Sequence, residues 1–302
     1  MQLNAENSAI EHKFICELEM NYIYHQTARW VVTVLVCLAV AAGCSGFKSQ
    51  NKPAAVLEIR PGILMGYLKP EVLPNSLALL PPPPTAGSAG FALDEEVSRR
   101  SFRFRDTLRW ELAAADANLR FPAAAESFSC ALGIPITEQN TPHLYLLLRR
   151  TLADAGFSTY TAKKQYQRKR PFVLNREPIC TPNELEFLVT DGSYPSGHTA
   201  IGWAWALILS EIAPERADAI LTRGRAYGES RIFCNVHWYS DVVAGRFIGA
   251  AAVARLHADS AFQAELRAAK REIDAVRARG LKPARDCDAE ADTLLYEIFR
   301  RP

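Results

Sequence analysis

The chain has 302 residues, 49% hydrophobic and 23% charged, with a formal net charge of +2 at pH 7. That balance is too apolar and too weakly charged for a disordered chain, and 16 Gly with 18 Pro in no repeating period exclude a collagen-like structure. A net charge so near zero gives no general electrostatic reason to bind nucleic acid, so no nucleic-acid partner is expected; the length suits one large core or two small ones.

The strongest apolar run near the start is Trp30 to Ala42, preceded by Arg29 and followed by Gly43-Cys44-Ser45-Gly46. At about a dozen residues it falls short of the roughly 20 a membrane-spanning helix needs, and it fits the apolar region of an export signal. Residues 1–44 are therefore read as a signal region, with Met20 the more conventional start. Two cleavage readings stand. Ala39-Val40-Ala41 is a small-x-small site for ordinary release, and Ala41-Ala42-Gly43-Cys44 resembles a bacterial lipobox that would anchor the chain by a lipid on Cys44. Either one delivers a periplasmic or secreted protein. Cys130, Cys180, Cys234 and Cys287 remain beyond this region, enough for two disulfides in any of three connectivities, and none forms a C-x-x-C pair.

Residues 45–91 read as an extended Pro-rich tether, because Pro70, Pro74 and the run Pro81 to Pro84 fix φ and remove backbone donors. The leucines between Tyr67 and Leu80 also suit a segment lying against the body. Residues 92–302 then read as all-α, a single helical-bundle domain. A long helix is expected over Asp94 to Asn118. Thr141-Pro142 opens the next, with Thr as N-cap and Pro at the first position. Thr181-Pro182-Asn183-Glu184 repeats the device with the Glu of a capping box. Further helices are expected from Pro214 through Ala226, Ser240 to Leu256, Ser260 to Arg279 and Glu290 to Arg300. Ile201 to Leu209 is apolar all round but too short to span a bilayer, which marks a helix buried in a core.

Three blocks carry chemistry: Lys163 with Arg170-Pro171; Gly192-Ser193-Tyr194-Pro195-Ser196-Gly197-His198-Thr199; and Ser230-Arg231 with His237 and Asp241. Guanidinium groups match tetrahedral oxyanions in bidentate fashion, so Lys163, Arg170 and Arg231 could cradle one. Ser196 and Gly197 sit at a predicted helix start, where free N–H groups favour an anion. His237 and Asp241 are four apart and share a face if this stretch is helical, and a carboxylate bound to one imidazole nitrogen leaves the other free as a nucleophile. His198 supplies a second imidazole suited to acid work. Each piece alone has a plainer explanation. A basic run such as Lys163 to Arg170 is more often a solvated face, and an i, i+4 His–Asp pair is common on any helix. Zinc ligation by His198, His237 and Asp241 lacks a compact metal motif, and no metal or other cofactor is expected. His143 and His257 fit no catalytic pattern.

Order and spacing together change this balance. The pattern K-x6-R-P, P-S-G-H, S-R-x5-H-x3-D is met by Lys163 with Arg170-Pro171, by Pro195 to His198, and by Ser230-Arg231 with His237 and Asp241. In this the chain resembles the acid-phosphatase superfamily that includes type 2 phosphatidic acid phosphatases and vanadium haloperoxidases. The string Gly192 to Thr199 resembles the signature of the bacterial class A nonspecific acid phosphatases, and that similarity runs from about Tyr67 to Leu256. The resemblance implies His237 as the phosphoryl acceptor, Asp241 as its orienting group and His198 as acid and then base. Lys163, Arg170, Ser196, Gly197 and Arg231 would hold the phosphate oxygens. It also implies a metal-independent hydrolase of small phosphomonoesters with broad specificity and an acidic optimum, assembled as a homo-oligomer, with Cys180 bonded to Cys234 and so Cys130 left to Cys287. The alternatives are a vanadium-dependent haloperoxidase, a lipid phosphatase, which the want of several spanning helices disfavours, and a non-catalytic envelope lipoprotein.

Overall fold

The computed structural model describes residues 52–296 and Ile298. The signal reading of residues 1–44, with Cys44, lies outside the described residues. Two short antiparallel strands come first, β1 (Glu58–Arg60) and β2 (Ile63–Leu64). The chain reverses between them at Gly62, whose φ of 82° is rarely open to a residue with a Cβ. Helices follow: α1 (Ala89–Ser101), α2 (Leu108–Asp116), α3 (Pro142–Phe157), α4 (Tyr160–Tyr166), α5 (Gly197–Ile212), α6 (Ala217–Phe233), α7 (Tyr239–Leu256), α8 (Ser260–Ala278) and α9 (Cys287–Leu294). Short helical turns at Ser76–Leu79, Pro171–Asn175 and Leu185–Thr190 connect them. The described chain is mostly helical, as its periodicity predicts, and no described helix is long and apolar enough to cross a membrane.

Helix α5 is the centre. It is apolar on all sides, buries Ile201, Trp205, Ile208 and Leu209, and is flanked by α3, α6 and α7. Gly245 and Gly249, one turn apart on α7, let that helix lie directly on the backbone of α5. A Cβ there would come within 2.6 Å of the Ser196 carbonyl oxygen and 2.5 Å of that of Ala200. This close approach brings the N-termini of α5 and α7 together, and the Ser196 N–H donates to the Asp241 carbonyl at 3.0 Å. A second apolar cluster, with Phe104, Phe172, Phe233, Val236 and Val242, supports the loops on that side.

Several predicted boundaries move. The helix expected over Asp94 to Asn118 is broken at Arg105 to Thr107, where Asp106 takes a φ of 58°. The turn lets α2 bury Arg109 against α6, where its guanidinium donates to the Ala226 carbonyl at 2.9 Å and to Ser230 Oγ at 3.0 Å. Thr181 does open a turn, but as 3₁₀ helix, and its hydroxyl donates to the Glu184 carboxylate at 2.7 Å instead of capping the backbone. Pro214 starts a 3₁₀ turn, and α6 then runs past Ala226 to Phe233, so Ser230 and Arg231 are helical. The last described helix starts earlier than expected, at Cys287.

The stretch read as a tether lies against the helices from Leu64 onward. Asp154 of α3 accepts from the N–H groups of Tyr67 and Leu68, each at 2.9 Å, and Arg150 donates to the Gly66 carbonyl at 2.7 Å. Ser76 Oγ bonds Thr161 at 2.8 Å, and the Tyr194 hydroxyl donates to the Pro81 carbonyl at 2.9 Å. Apolar burial of Leu64, Tyr67 and Leu80 adds to these bonds. Disulfides join Cys180 to Cys234 and Cys130 to Cys287, with Cα atoms 4.7 and 5.3 Å apart.

Candidate active site

Each sequence block reaches the site by a different local device. Lys163 lies in the last turn of α4, after which Gln167 reverses the chain in the left-handed region. Arg170 then precedes Pro171, which starts the next helical turn with a preset φ. Ser196 caps α5, its Oγ accepting from the Thr199 N–H at 3.3 Å, which places Gly197 and His198 in the first turn. Arg231 extends from the last turn of α6. His237 follows the disulfide residue Cys234 by three positions and stands just ahead of α7, whose third residue is Asp241.

These elements close around a cavity of about 230 Å³ lined by Lys163, Arg170, Asp191, Gly197, His198, Arg231 and His237. Its remaining walls are mostly apolar and include Ile63, Leu119, Phe157, Tyr160 and Phe187, with Arg60 and Thr159 the polar exceptions. Ser196 is the exception among the predicted phosphate-binding residues, since its hydroxyl serves the helix cap and it does not line the cavity. Among the described residues no group of three or more His, Cys, Asp or Glu is placed to hold a metal ion.

His237 is held on both sides. Its Nδ1 faces the Asp241 carboxylate at 3.3 Å, and its Nε2 meets Arg170 Nη1 at 3.0 Å. A carboxylate can only accept and a guanidinium can only donate, so the proton lies on Nδ1 and the lone pair on Nε2. The fixing continues outward. Asp241 accepts from the Trp238 N–H at 2.8 Å and from Arg168 at 2.6 Å. Arg168 also donates to Asp94 at 2.7 Å, and Asp94 accepts from the Ser240 N–H at 2.8 Å. Burial, then the charges of Arg170, Lys163 and Arg231, hold His237 well below the usual imidazole range, so the ring is neutral.

His198 Nε2 lies 2.9 Å from the Ala117 carbonyl, which fixes the proton on Nε2 and leaves Nδ1 to titrate. Burial and the adjacent Arg231 depress this imidazole as well. Both rings are therefore neutral.

The cations are not equivalent. Lys163 donates to Asp191 at 3.0 Å and to the Gly192 carbonyl, and burial pushes its ammonium down to about 8. Arg170 donates to Asp191 at 2.8 Å and to the carbonyls of Leu188 and Val236, each at 2.9 Å. Arg231 is 1% exposed, and among the described residues its Nε and Nη1 have no hydrogen-bond partner. Burial lowers it to about 10. A buried guanidinium with unspent donors at a cavity wall is a site built for an oxyanion. Ser230, beside it in sequence, turns away from the cavity and donates to Asp116 at 2.6 Å, where Asp116 also pairs with Arg223. Arg168, Asp94, Asp191 and Asp116 were not singled out from sequence. Only Arg168 had a signal, its place between Lys163 and Arg170. His143 and His257 pair with Glu265 and Glu211 outside the cavity.

The sequence matches the profile of the PAP2 superfamily over residues 144–263. It is 47% identical to a non-specific acid phosphatase of Providencia stuartii over 208 residues, which cover 68% of this chain and 84% of that protein. It is 40% identical to an acid phosphatase of Zymomonas mobilis over 209 residues, covering 69% and 79%. Among solved structures, a bacterial vanadium-dependent iodoperoxidase aligns at a TM-score of 0.45 and 16% identity, over 67% of this chain and 62% of that one.

Proposed function

Because this chain belongs to the nonspecific acid phosphatases of the PAP2 superfamily, we propose that its cavity hydrolyses small phosphomonoesters through a phosphohistidine on His237. The observation that carries the mechanism is convergence. A neutral imidazole with its lone pair fixed on Nε2, a second imidazole and a buried guanidinium with free donors line one cavity.

A phosphoryl group entering between Lys163, Arg170 and Arg231 gives the unspent Arg231 donors their acceptors. It also draws Arg170 Nη1 from the His237 lone pair to a phosphate oxygen. The Gly197 N–H at the start of α5 adds a donor without a side chain in the way. The charge of the bound phosphoryl group offsets the cations that depress His198, so its Nδ1 takes up a proton from solvent. His237 Nε2 then attacks phosphorus as the P–O bond to the alcohol breaks, and the leaving oxygen takes that proton from His198 Nδ1. Asp241 stabilises the positive imidazole that forms. In the second half, water loses a proton to His198 Nδ1 and attacks phosphorus, and the bond to His237 breaks to release phosphate. Three fixed cations meet the charge that develops on the phosphoryl oxygens, which supports metal-independent turnover.

Broad specificity follows from contacts aimed at the phosphoryl group, with apolar walls around the rest. Two disulfides suit an oxidising compartment and, with the Trp30 to Ala42 run, support export, either released or anchored through Cys44. The decisive assay is p-nitrophenyl phosphate hydrolysis across pH in excess chelator, wild type against His237→Ala. Retention of activity in the variant, or loss of wild-type activity in chelator, refutes the mechanism. Rapid quenching in alkali should also trap an acid-labile phosphate on the wild type alone.

A further inference from the structure

The phosphoryl-binding residues account for only part of the cavity. The rest is an apolar wall to which the N-terminal hairpin contributes two residues, Ile63 from β2 and Arg60 from the end of β1. The Arg60 guanidinium carbon lies 5.6 Å from the centre of the Phe157 ring, and among the described residues it makes no hydrogen bond and no ion pair. It is a cation at the solvent edge of the site with all its donors free for a ligand. The strand that carries it is not loose. The Met65 N–H donates to the Leu57 carbonyl at 2.8 Å, closing the hairpin, and Asp154 and Arg150 tie down the residues that follow.

Lys163, Arg170 and Arg231 already supply the charge one phosphoryl group needs. Arg60 stands instead with Ile63, Phe157 and Tyr160, the surfaces left for the body of the leaving group. We propose that Arg60 is a specificity-determining residue, and that the site prefers phosphomonoesters whose leaving group has a planar apolar body and a second anionic group that pairs with Arg60. This rests on the phosphatase reading above and names the substrate class for that same site. The planar body packs against Phe157 and Ile63, and the anion ends at the rim, where its partner is exposed to solvent.

The test uses a matched pair of esters, phenyl phosphate and 4-carboxyphenyl phosphate, with wild type, Arg60→Gln and Arg60→Lys. In the wild type KM is lower for the carboxylated ester. In Arg60→Gln the ratio of the two KM values shifts about fivefold against it, the size expected of one ion pair at a solvent edge. Arg60→Lys keeps most of the preference, and added salt erodes it in the wild type. Equal KM changes for both esters, or no change in the ratio, overturn the role of Arg60 while leaving the phosphatase reading standing. A wild-type protein that hydrolyses neither ester overturns both.

Discussion

Arg231→Met should stabilise the fold and destroy the activity, two effects of opposite sign from one substitution. Arg231 is held charged and buried beside Arg170, and its Nε and Nη1 lack partners among the described residues. Each unsatisfied buried donor costs about 1–3 kcal/mol, and replacing a buried charge by an apolar side chain of similar length is commonly neutral or stabilising by about 1–4 kcal/mol. A gain near 2 kcal/mol in unfolding free energy is therefore expected, measured by urea denaturation in oxyanion-free buffer. The same two donors, once they bind phosphoryl oxygens, are worth about 1.5–3 kcal/mol each, so kcat/KM should fall by about 10² to 10⁴. Sulfate at a hundred times its Kd should raise wild-type stability by about 2.7 kcal/mol and leave the variant unchanged. A variant less stable than wild type in the absence of oxyanion, or one losing less than tenfold in kcat/KM, would refute the reasoning.

Asp241→Asn puts an amide where His237 Nδ1 and Trp238 N–H now find an acceptor, so the imidazole loses its fixed tautomer; kcat should drop by about 10⁴ with little change in KM, and unchanged kcat would contradict this role. Binding of an oxyanion offsets the cations that depress His198, so sulfate should draw in a proton, and its affinity should weaken as pH rises. Calorimetry in buffers of different ionisation enthalpy measures that uptake, which His198→Asn should abolish. Paired Cys180→Ser and Cys234→Ser substitutions open a loop of 54 residues, which in the chain-entropy account removes about 4 kcal/mol. Thermal unfolding should shift down accordingly, and activity should fall further because Cys234 anchors the turn that carries His237.

The amino-acid sequence determined whatever depends on neighbours within about one helical turn. The start of α5 at Ser196 and Gly197 was legible because helix-start signals act over three or four positions, whereas His237 lies ahead of α7 and meets Asp241 through the turn before that helix, not through a shared helical face. The burial of α5 was legible too, from a run apolar on every side. The class of chemistry followed from which side chains occur and in what order.

Tertiary structure decided which of those groups meet and what state they are in. Arg168 reads as one more cation in a basic run, and only folding sets it between Asp94 and Asp241, residues 74 and 73 positions away. Asp191 shares itself between Lys163 and Arg170, and the Ala117 carbonyl fixes a proton on His198 across 81 positions. The break at Asp106 has the same origin, since α2 must turn to bury Arg109 against α6. Desolvation and ion pairing depend on what surrounds a group in space. Two neutral imidazoles and a guanidinium with idle donors therefore arise only when the helices pack.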